Sequence, residues 1–319
     1  MSLLLDLFKS LVYPGVLFVI VFSLLLEWVD RKIYAHAQNR IGPYYVGPLG
    51  ILQPFADILK LLSKEDITPP HVDKVPFLLA PPLLLYLSLV GMYMIPTGAL
   101  GEPHAILSFE GDYLVVLTIT TLITMFVFAG SWASVNRFGA IGSIRALLLM
   151  VGYEVPFFLC AAAIALDAKT LCLSKMAEVQ STALWFIVLQ PLGFIVSILS
   201  LQAELERIPF DIPEAETEIV AGWLTEFTGK KLAMIRLTSD IELFLLSSLV
   251  VTLYLGGPWG PGGPNILWFL LKVLGVVLLS SVLRALLARY RIDQAIEFFW
   301  KLVVPLSFLQ VALALFMPL

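Results

Sequence analysis

The sequence predicts an all-α integral membrane protein: a single polytopic domain over residues 1–319 with about eight transmembrane helices. Three observations lead there. Hydrophobic residues make up 59% of the chain and charged residues 14%, against roughly 45–50% and 25% in soluble domains, so a soluble fold could not hide its apolar surface. Apolar runs long enough to cross a bilayer recur at 12–29, 76–97, 113–134, 145–166, 182–203, 233–255, 265–287 and 296–317. The basic residues also sort onto alternate loops. Arg31, Lys32, Arg40, Lys60, Lys64, Lys74, Arg137, Arg145, Arg207, Lys230, Lys231, Arg236, Arg284, Arg289 and Arg291 fall in or beside odd-numbered loops, and only Lys169 and Lys175 in even ones. The positive-inside rule then places the odd loops in the cytoplasm and both termini outside, as expected of a multi-pass cell-membrane protein.

Taken in order, the first apolar run is too long for a signal peptide, lacks a small-residue cleavage site and is followed directly by Asp30-Arg31-Lys32, so it reads as a span. Glu27 and Asp30, near its end, are expected to pair with Arg31 or Lys32. The first cytoplasmic loop, 30–75, contains an amphipathic helix. Ile51, Phe55, Ile58 and Leu62 recur at helical spacing, Gln53, Asp57, Lys60 and Lys64 take another face, and Pro54 suits a first turn. Periodicity favours a helix lying on the lipid interface; the alternative is one packed across a cavity mouth. Pro156, Pro191 and Pro305 fall inside spans, where membrane helices tolerate kinks. GGPWGPGG at 256–263 reads as a turn.

The carboxylates carry the functional signal. Of 24 acidic residues, nine crowd between positions 204 and 242: Glu204, Glu206, Asp211, Glu214, Glu216, Glu218, Glu226, Asp240 and Glu242. The loop 204–232 interleaves them with Ile208, Phe210, Ile212, Ile219, Val220 and Trp223, so it is expected to fold into the membrane surface rather than extend into water. Pro209 and Pro213 interrupt any continuous helix. Glu214 and Glu218, four apart, are expected to share a helical face and repel. Clustered carboxyls of this kind titrate as a unit, which suits proton passage near neutral pH. Glu154, in GYEVPFF, stands about ten residues into the fourth span. A charged side chain at mid-bilayer costs roughly 2.5–3.5 kcal/mol on insertion scales, and such residues usually mark ion or proton paths.

Several classes fall away. Cys160 and Cys172 have no CxxC partner, which leaves too few thiolates for an iron–sulfur cluster or a structural zinc site. His36, His71 and His104 are far apart in polar connections, against a bis-histidine haem. There is no phosphate-binding glycine loop or dinucleotide fingerprint. A net charge of −4 without a basic tail argues against nucleic acid as a partner.

Three stretches resemble one family, the H subunit of respiratory complex I. DRKIYAHAQNRIGPYYVGPLGILQPFADILKLLSKED (30–66) resembles its first cytoplasmic loop. GSWASVNRFGAIGSIRALLLMVGYEV (130–155) resembles its third loop and fourth span, and AELERIPFDIPEAETEIVAGWLTEFTG (203–229) its acidic fifth loop. The resemblance covers roughly residues 12–317. It implies a subunit that joins a peripheral electron-transfer arm to antiporter-like membrane subunits, with iron–sulfur clusters carried by partners and no cofactor, metal or catalytic residue of its own. It implies a relay of Glu154, Glu204, Asp211, Glu214, Glu216, Glu218 and Glu226, and a peripheral-arm interface of Asp30, Arg31, Arg40, Asp57 and Arg207.

The chain departs from the pattern at two places. Asp30 stands where complex I usually has Glu. After Glu226 the chain reads KKLAMIRLTSDIELF, with Arg236 inside the run and Ser239 near a Glu position, in place of a phenylalanine-rich run ending in Ala-Glu-Tyr. In these features it resembles the equivalent M subunit of archaeal membrane-bound nickel–iron hydrogenases and the related sulfur-reducing complexes. The expectation is therefore an anchor and coupling subunit of a ferredoxin-linked complex, whose peripheral arm holds clusters and possibly a nickel–iron centre, and which moves protons or sodium. The quinone-site subunit of NADH:quinone oxidoreductase is the alternative, and a free-standing secondary transporter a third reading.

Overall fold

A computed structural model describes residues 8–182 and 184–316. The expected all-α class holds: among the described residues helices make up nearly all the regular structure, joined by one two-residue strand pair. Among the described residues six helices are long and apolar enough to cross a membrane. They are the segment ending in α1 (Val16–Ala37), α3 (Lys74–Tyr93), α4 (Asp112–Trp132), α5 (Arg137–Ala168), α9 (Ile266–Leu286) and α10 (Ile292–Phe316, with one π turn at Phe299–Val303). Among the described residues four further helices of ten residues or more are α2 (Gln53–Ser63), α6 (Leu173–Thr182), α7 (Pro191–Glu204) and α8 (Gly229–Tyr254), and two single turns lie at Phe186–Leu189 and Glu216–Ile219.

The two remaining expected spans differ from a simple membrane helix. The run 182–203 is not continuous. Gln190 adopts non-helical backbone before Pro191, and α7 has 14 residues, about 21 Å, which is short of a bilayer core. The run 233–255 lies within α8, whose 26 residues exceed what a span needs. From Leu243 to Tyr254 every residue of α8 is buried, Ser247, Ser248 and Thr252 included. A helix apolar on all sides belongs in the interior, and α8 packs there against α1, α2, α3, α7 and α9. A second core of Leu149, Tyr153, Cys160, Val196, Phe210 and Phe299 joins α5, α7 and α10.

Local chemistry sets the ends. Asn136 caps α5 by accepting from the Phe138 N–H at 2.8 Å. The GGPWGPGG stretch is a turn, as expected, with Trp259–Gly260 paired to Gly263–Pro264. Lys272 of α9 holds it by donating to the carbonyls of Leu255, Gly257 and Trp259, at 2.6 Å and 3.0 Å to the first two.

The acidic loop is fitted closely to α5. A Cβ on Gly142 would lie 2.6 Å from the Trp223 nitrogen. Gly222 is left-handed, φ +52°, and a Cβ there would lie 1.8 Å from the Pro213 carbonyl oxygen. Gly222→Ala is therefore expected to destabilise the detergent-solubilised protein by more than Gly262→Ala. Gly262, at φ +95° with open space around it, incurs backbone strain alone, about 1–2 kcal/mol. Thermal unfolding midpoints of the two variants check this; equal midpoints would show that the loop yields freely.

Candidate functional site

The ends of α1, α7, α8 and α9 converge with α2 and the acidic loop around a cavity of about 720 Å³. The volume is in the range of small-molecule sites, roughly 300–1,000 Å³. Leu84, Ile123, Val127 and Ile235 form an apolar inner wall. Carboxylates and guanidinium groups line the rest. Pro54, Asp57, Ile58, Lys60, Leu61 and Lys64 place the amphipathic helix α2 along one side of the cavity, packed against α1 and α8.

A connected set of ion pairs runs along one side. Asp57 accepts from Arg31 at 2.7 Å, and Arg31 donates to Glu27 one turn away at 2.6 Å. Arg207 bridges Glu27 at 3.3 Å and Asp30 at 3.0 Å. Asp30, wholly buried, is held on its other side by Arg284 at 2.8 Å and Ser281 at 2.6 Å. The expected pairing of Asp30 with Arg31 or Lys32 is thus replaced. Asp30 sits on the inward face of α1, where Arg207 and Arg284 reach it, while Arg31 turns toward Glu27 and Asp57. Arg207 is positioned in turn by Gln202, which clamps the start of the loop. Gln202 donates to the carbonyls of Ile208 at 3.2 Å and Ser280 at 3.1 Å, and accepts from the Ser280 hydroxyl at 2.6 Å.

The other side is acidic. Glu206 accepts from the Trp223 indole at 2.8 Å, yet burial and the nearby Glu214 charge push its carboxyl up to about 8. Arg236 of α8 stands 3.7 Å from Glu214. Deeper, Glu204 is hydrogen-bonded to Thr120 and within electrostatic reach of Glu154, itself hydrogen-bonded to Thr121. Glu242 interacts with both Glu204 and Glu206. These carboxyls form a graded series from the cavity rim to the middle of the helix bundle. Mutual repulsion and burial are the conditions under which carboxyls hold and exchange protons near neutral pH.

The residues predicted from sequence divide accordingly. Glu204, Asp211 and Glu214 line the cavity, and Glu154 adjoins it through Glu204. Glu214 and Glu218 do not share a helical face: Pro213 and Glu214 form a turn, and the four-residue helix begins only at Glu216. Glu218 turns outward to Arg145 at 2.6 Å, and that hydrogen bond holds its carboxyl below the usual range. The Glu216 side chain lies outside the described residues. Glu226 stands apart, hydrogen-bonded to the helix-capping Asn136. Of the interface set, Arg40 is exposed and stacks on Tyr34, Arg31 and Asp57 are partly exposed, Arg207 is largely buried at the cavity wall, and Asp30 is wholly buried. Glu27, Glu206, Asp240, Glu242, Arg236 and Arg284 were not singled out as site residues but line the cavity. The acidic crowding at 204–242 contained the signal for Glu206, Asp240 and Glu242; Glu27 and Arg284 needed the fold.

The chain is thus a helical membrane protein with a charged, partly apolar cavity beside a folded acidic loop and carboxyls leading inward. The family described as NADH dehydrogenase matches residues 10–315. The chain is 37% identical to the second H subunit of NADH-quinone oxidoreductase from Rhodopseudomonas palustris over 286 residues, 90% of this chain and 88% of that protein. It is 36% identical to the first H subunit of the same enzyme from Geobacter metallireducens over 315 residues, covering 96% and 95% of the two chains. The H subunit of Dehalococcoides mccartyi NADH-quinone oxidoreductase is 36% identical over 308 residues, 96% of this chain and 86% of the relative. This chain belongs to the H-subunit family of complex I, a family of membrane subunits of respiratory oxidoreductases.

Two outcomes follow. Asp30→Ala leaves Arg207 and Arg284 without their buried counter-charge, and should cost roughly 3–5 kcal/mol, read as a lowered unfolding midpoint and impaired assembly. The Glu206 carboxyl, neutral below about pH 8 and anionic above it, should give a protonated-acid infrared band that fades with a midpoint near 8. Glu206→Gln should remove that component of the titration; an unchanged band would assign it elsewhere.

Proposed function

We propose that this chain is the quinone-cavity and coupling subunit of a complex-I-type oxidoreductase. The observation that carries the reading is the cavity itself, about 720 Å³, with an apolar inner wall and an ionisable rim. An apolar wall suits the ring and tail of a quinone. Reduction of a quinone to a quinol consumes two protons and two electrons, and the rim carboxyls are placed to supply or sense those protons. Electrons would come from iron–sulfur clusters in peripheral partner subunits, docked on the loops at 38–73 and 205–228, which in this reading face the cytoplasm. Charge change in the cavity would then bias Glu206, Glu242, Glu204 and Glu154, the inward series, and pass the effect to antiporter-like membrane subunits.

The three relatives all carry quinone oxidoreductase names, which favours this reading over the ferredoxin-linked hydrogenase or sulfur-reductase reading that the departures suggested. One feature still supports the latter: Arg236 and Asp240 place extra charge in the cavity wall, which an apolar acceptor would not need.

The intact complex, purified in mild detergent, is expected to reduce a short-chain quinone, and Val127→Trp should raise the KM for quinone about tenfold by filling the apolar wall. Reduction of a soluble acceptor by the peripheral arm should be unchanged. Hydrogen evolution or sulfur reduction without quinone reduction would select the second reading.

A further inference from the structure

The helix α7 has a polar face that runs its whole length and is not explained by the cavity. Gln190, Gly193, Ser197, Ser200 and Glu204 recur at alternating steps of three and four, so they form one stripe along the helix. The stripe spans about 21 Å. Its cavity end is Glu204. Its far end is on the opposite side of the bundle, where the Gln190 amide donates to Asp167 of α5 and to the Ala163 carbonyl at 3.2 Å.

Other helices face this stripe with polar atoms. The Ser200 hydroxyl is 3.4 Å from the Tyr153 carbonyl oxygen. The Ser197 hydroxyl is 2.9 Å from the Tyr254 hydroxyl of α8. Gly193 lets these groups come close to the helix: a Cβ there would lie 2.9 Å from the Tyr254 hydroxyl and 3.4 Å from Cγ of Gln310 on α10. All are buried. Asp167 is 9% exposed, and Gln190, Gln310 and Ser197 are each 1% exposed.

Three of these buried groups carry an oxygen without a protein partner: Asp167 Oδ1, Gln190 Oε1 and Gln310 Oε1. A buried acceptor left unsatisfied is costly, and three along one stripe call for a partner. Internal water satisfies such groups when several polar partners converge. Successive rungs of the stripe are separated by roughly 5 Å along the helix, a gap that one water with two hydrogen bonds bridges.

We propose that this stripe is a hydrated seam that carries protons between Glu204 at the cavity and Asp167 on the opposite side of the bundle, with Ser200, Ser197, Tyr254, Gln310 and Gln190 as its intervening polar rungs. Each hydroxyl and water accepts a proton on one side and releases one on the other, so the chain needs no charged residue between its two carboxyl ends. Gly193, without a side chain, lets the Tyr254 hydroxyl and Gln310 reach the stripe. The seam gives the carboxyl series in the cavity a route across the bundle within this chain.

The inference rests on the coupling role proposed above, and two measurements on the intact complex test it. In proteoliposomes with an interior pH dye, Asp167→Asn and Gln310→Leu are each expected to lower protons moved per electron at least twofold. Uncoupled electron transfer should stay within twofold of the parent, and Asp167→Glu should recover the ratio. The ratio is taken with whichever acceptor the parent complex reduces, so failure of the quinone reading leaves this test intact. An unchanged ratio in both variants, or a parent complex that moves no protons, overturns the seam. Should the variants fail to assemble, the parent complex decides. A cryo-EM map that resolves water should show density within hydrogen-bond reach of Asp167 Oδ1, Gln190 Oε1 and Gln310 Oε1, and a dry seam overturns the proposal.

Discussion

A single carboxylate with no exposure to water holds the charged half of this protein together. Asp30 accepts from Ser281 and is flanked by Arg207 and Arg284, so it ties α1 to α9 and to the first residues after α7. An isolated charge in such a place would cost several kcal/mol, and two guanidinium partners and a hydroxyl are what make it tolerable. The arrangement has a directional consequence. Arg207 is drawn inward, Glu27 follows it, and the chain beyond Arg207 must fold back over the bundle instead of leaving it. The acidic loop therefore begins from a fixed point, with Gln202 and Ser280 fixing it a second time.

From that point the two sides of the cavity take opposite characters. One is a neutralised lattice of alternating charges, from Asp57 through Arg31, Glu27 and Arg207 to Asp30 and Arg284. The other is acid with little compensation: Glu206 near Glu214, then Glu242 and Glu204 beside Glu154. Rigid charge pairing on one wall and protonatable groups on the other is a sound division for a protein that couples two processes. In the coupling role proposed above, the paired wall would keep its shape while the acidic wall changes its proton content. The apolar patch of Leu84, Ile123, Val127 and Ile235 lies between them, where a hydrophobic acceptor would meet both.

Much of this was legible in the sequence, because charge is scarce. With 14% charged residues, each one in an apolar run stands out, and Glu154, Glu204 and the crowded loop could be found by inspection. Pairing was not legible. Arg284 and Asp30 are 254 positions apart, and local spacing offered Arg31 as the nearer and wrong partner for Asp30. Glu214 and Glu218 misled for a related reason: a four-residue interval implies a shared face only on a helix, and the helix starts two residues too late. The polar stripe on α7 is faint in the sequence because serines and a glycine carry little weight beside carboxylates, although their spacing is regular.

The burial of α8 from Leu243 to Tyr254 bears on how the protein is made. Its first half carries Arg236, Asp240 and Glu242 into the cavity wall, and a charge facing hydrocarbon instead would carry a cost of a few kcal/mol. Neighbouring helices offset that cost, and one of them, α9, is synthesised after it. Biogenesis must therefore hold α8 in a provisional position, shielded from lipid by the helices already inserted, until α9 emerges from the ribosome and closes the bundle around it.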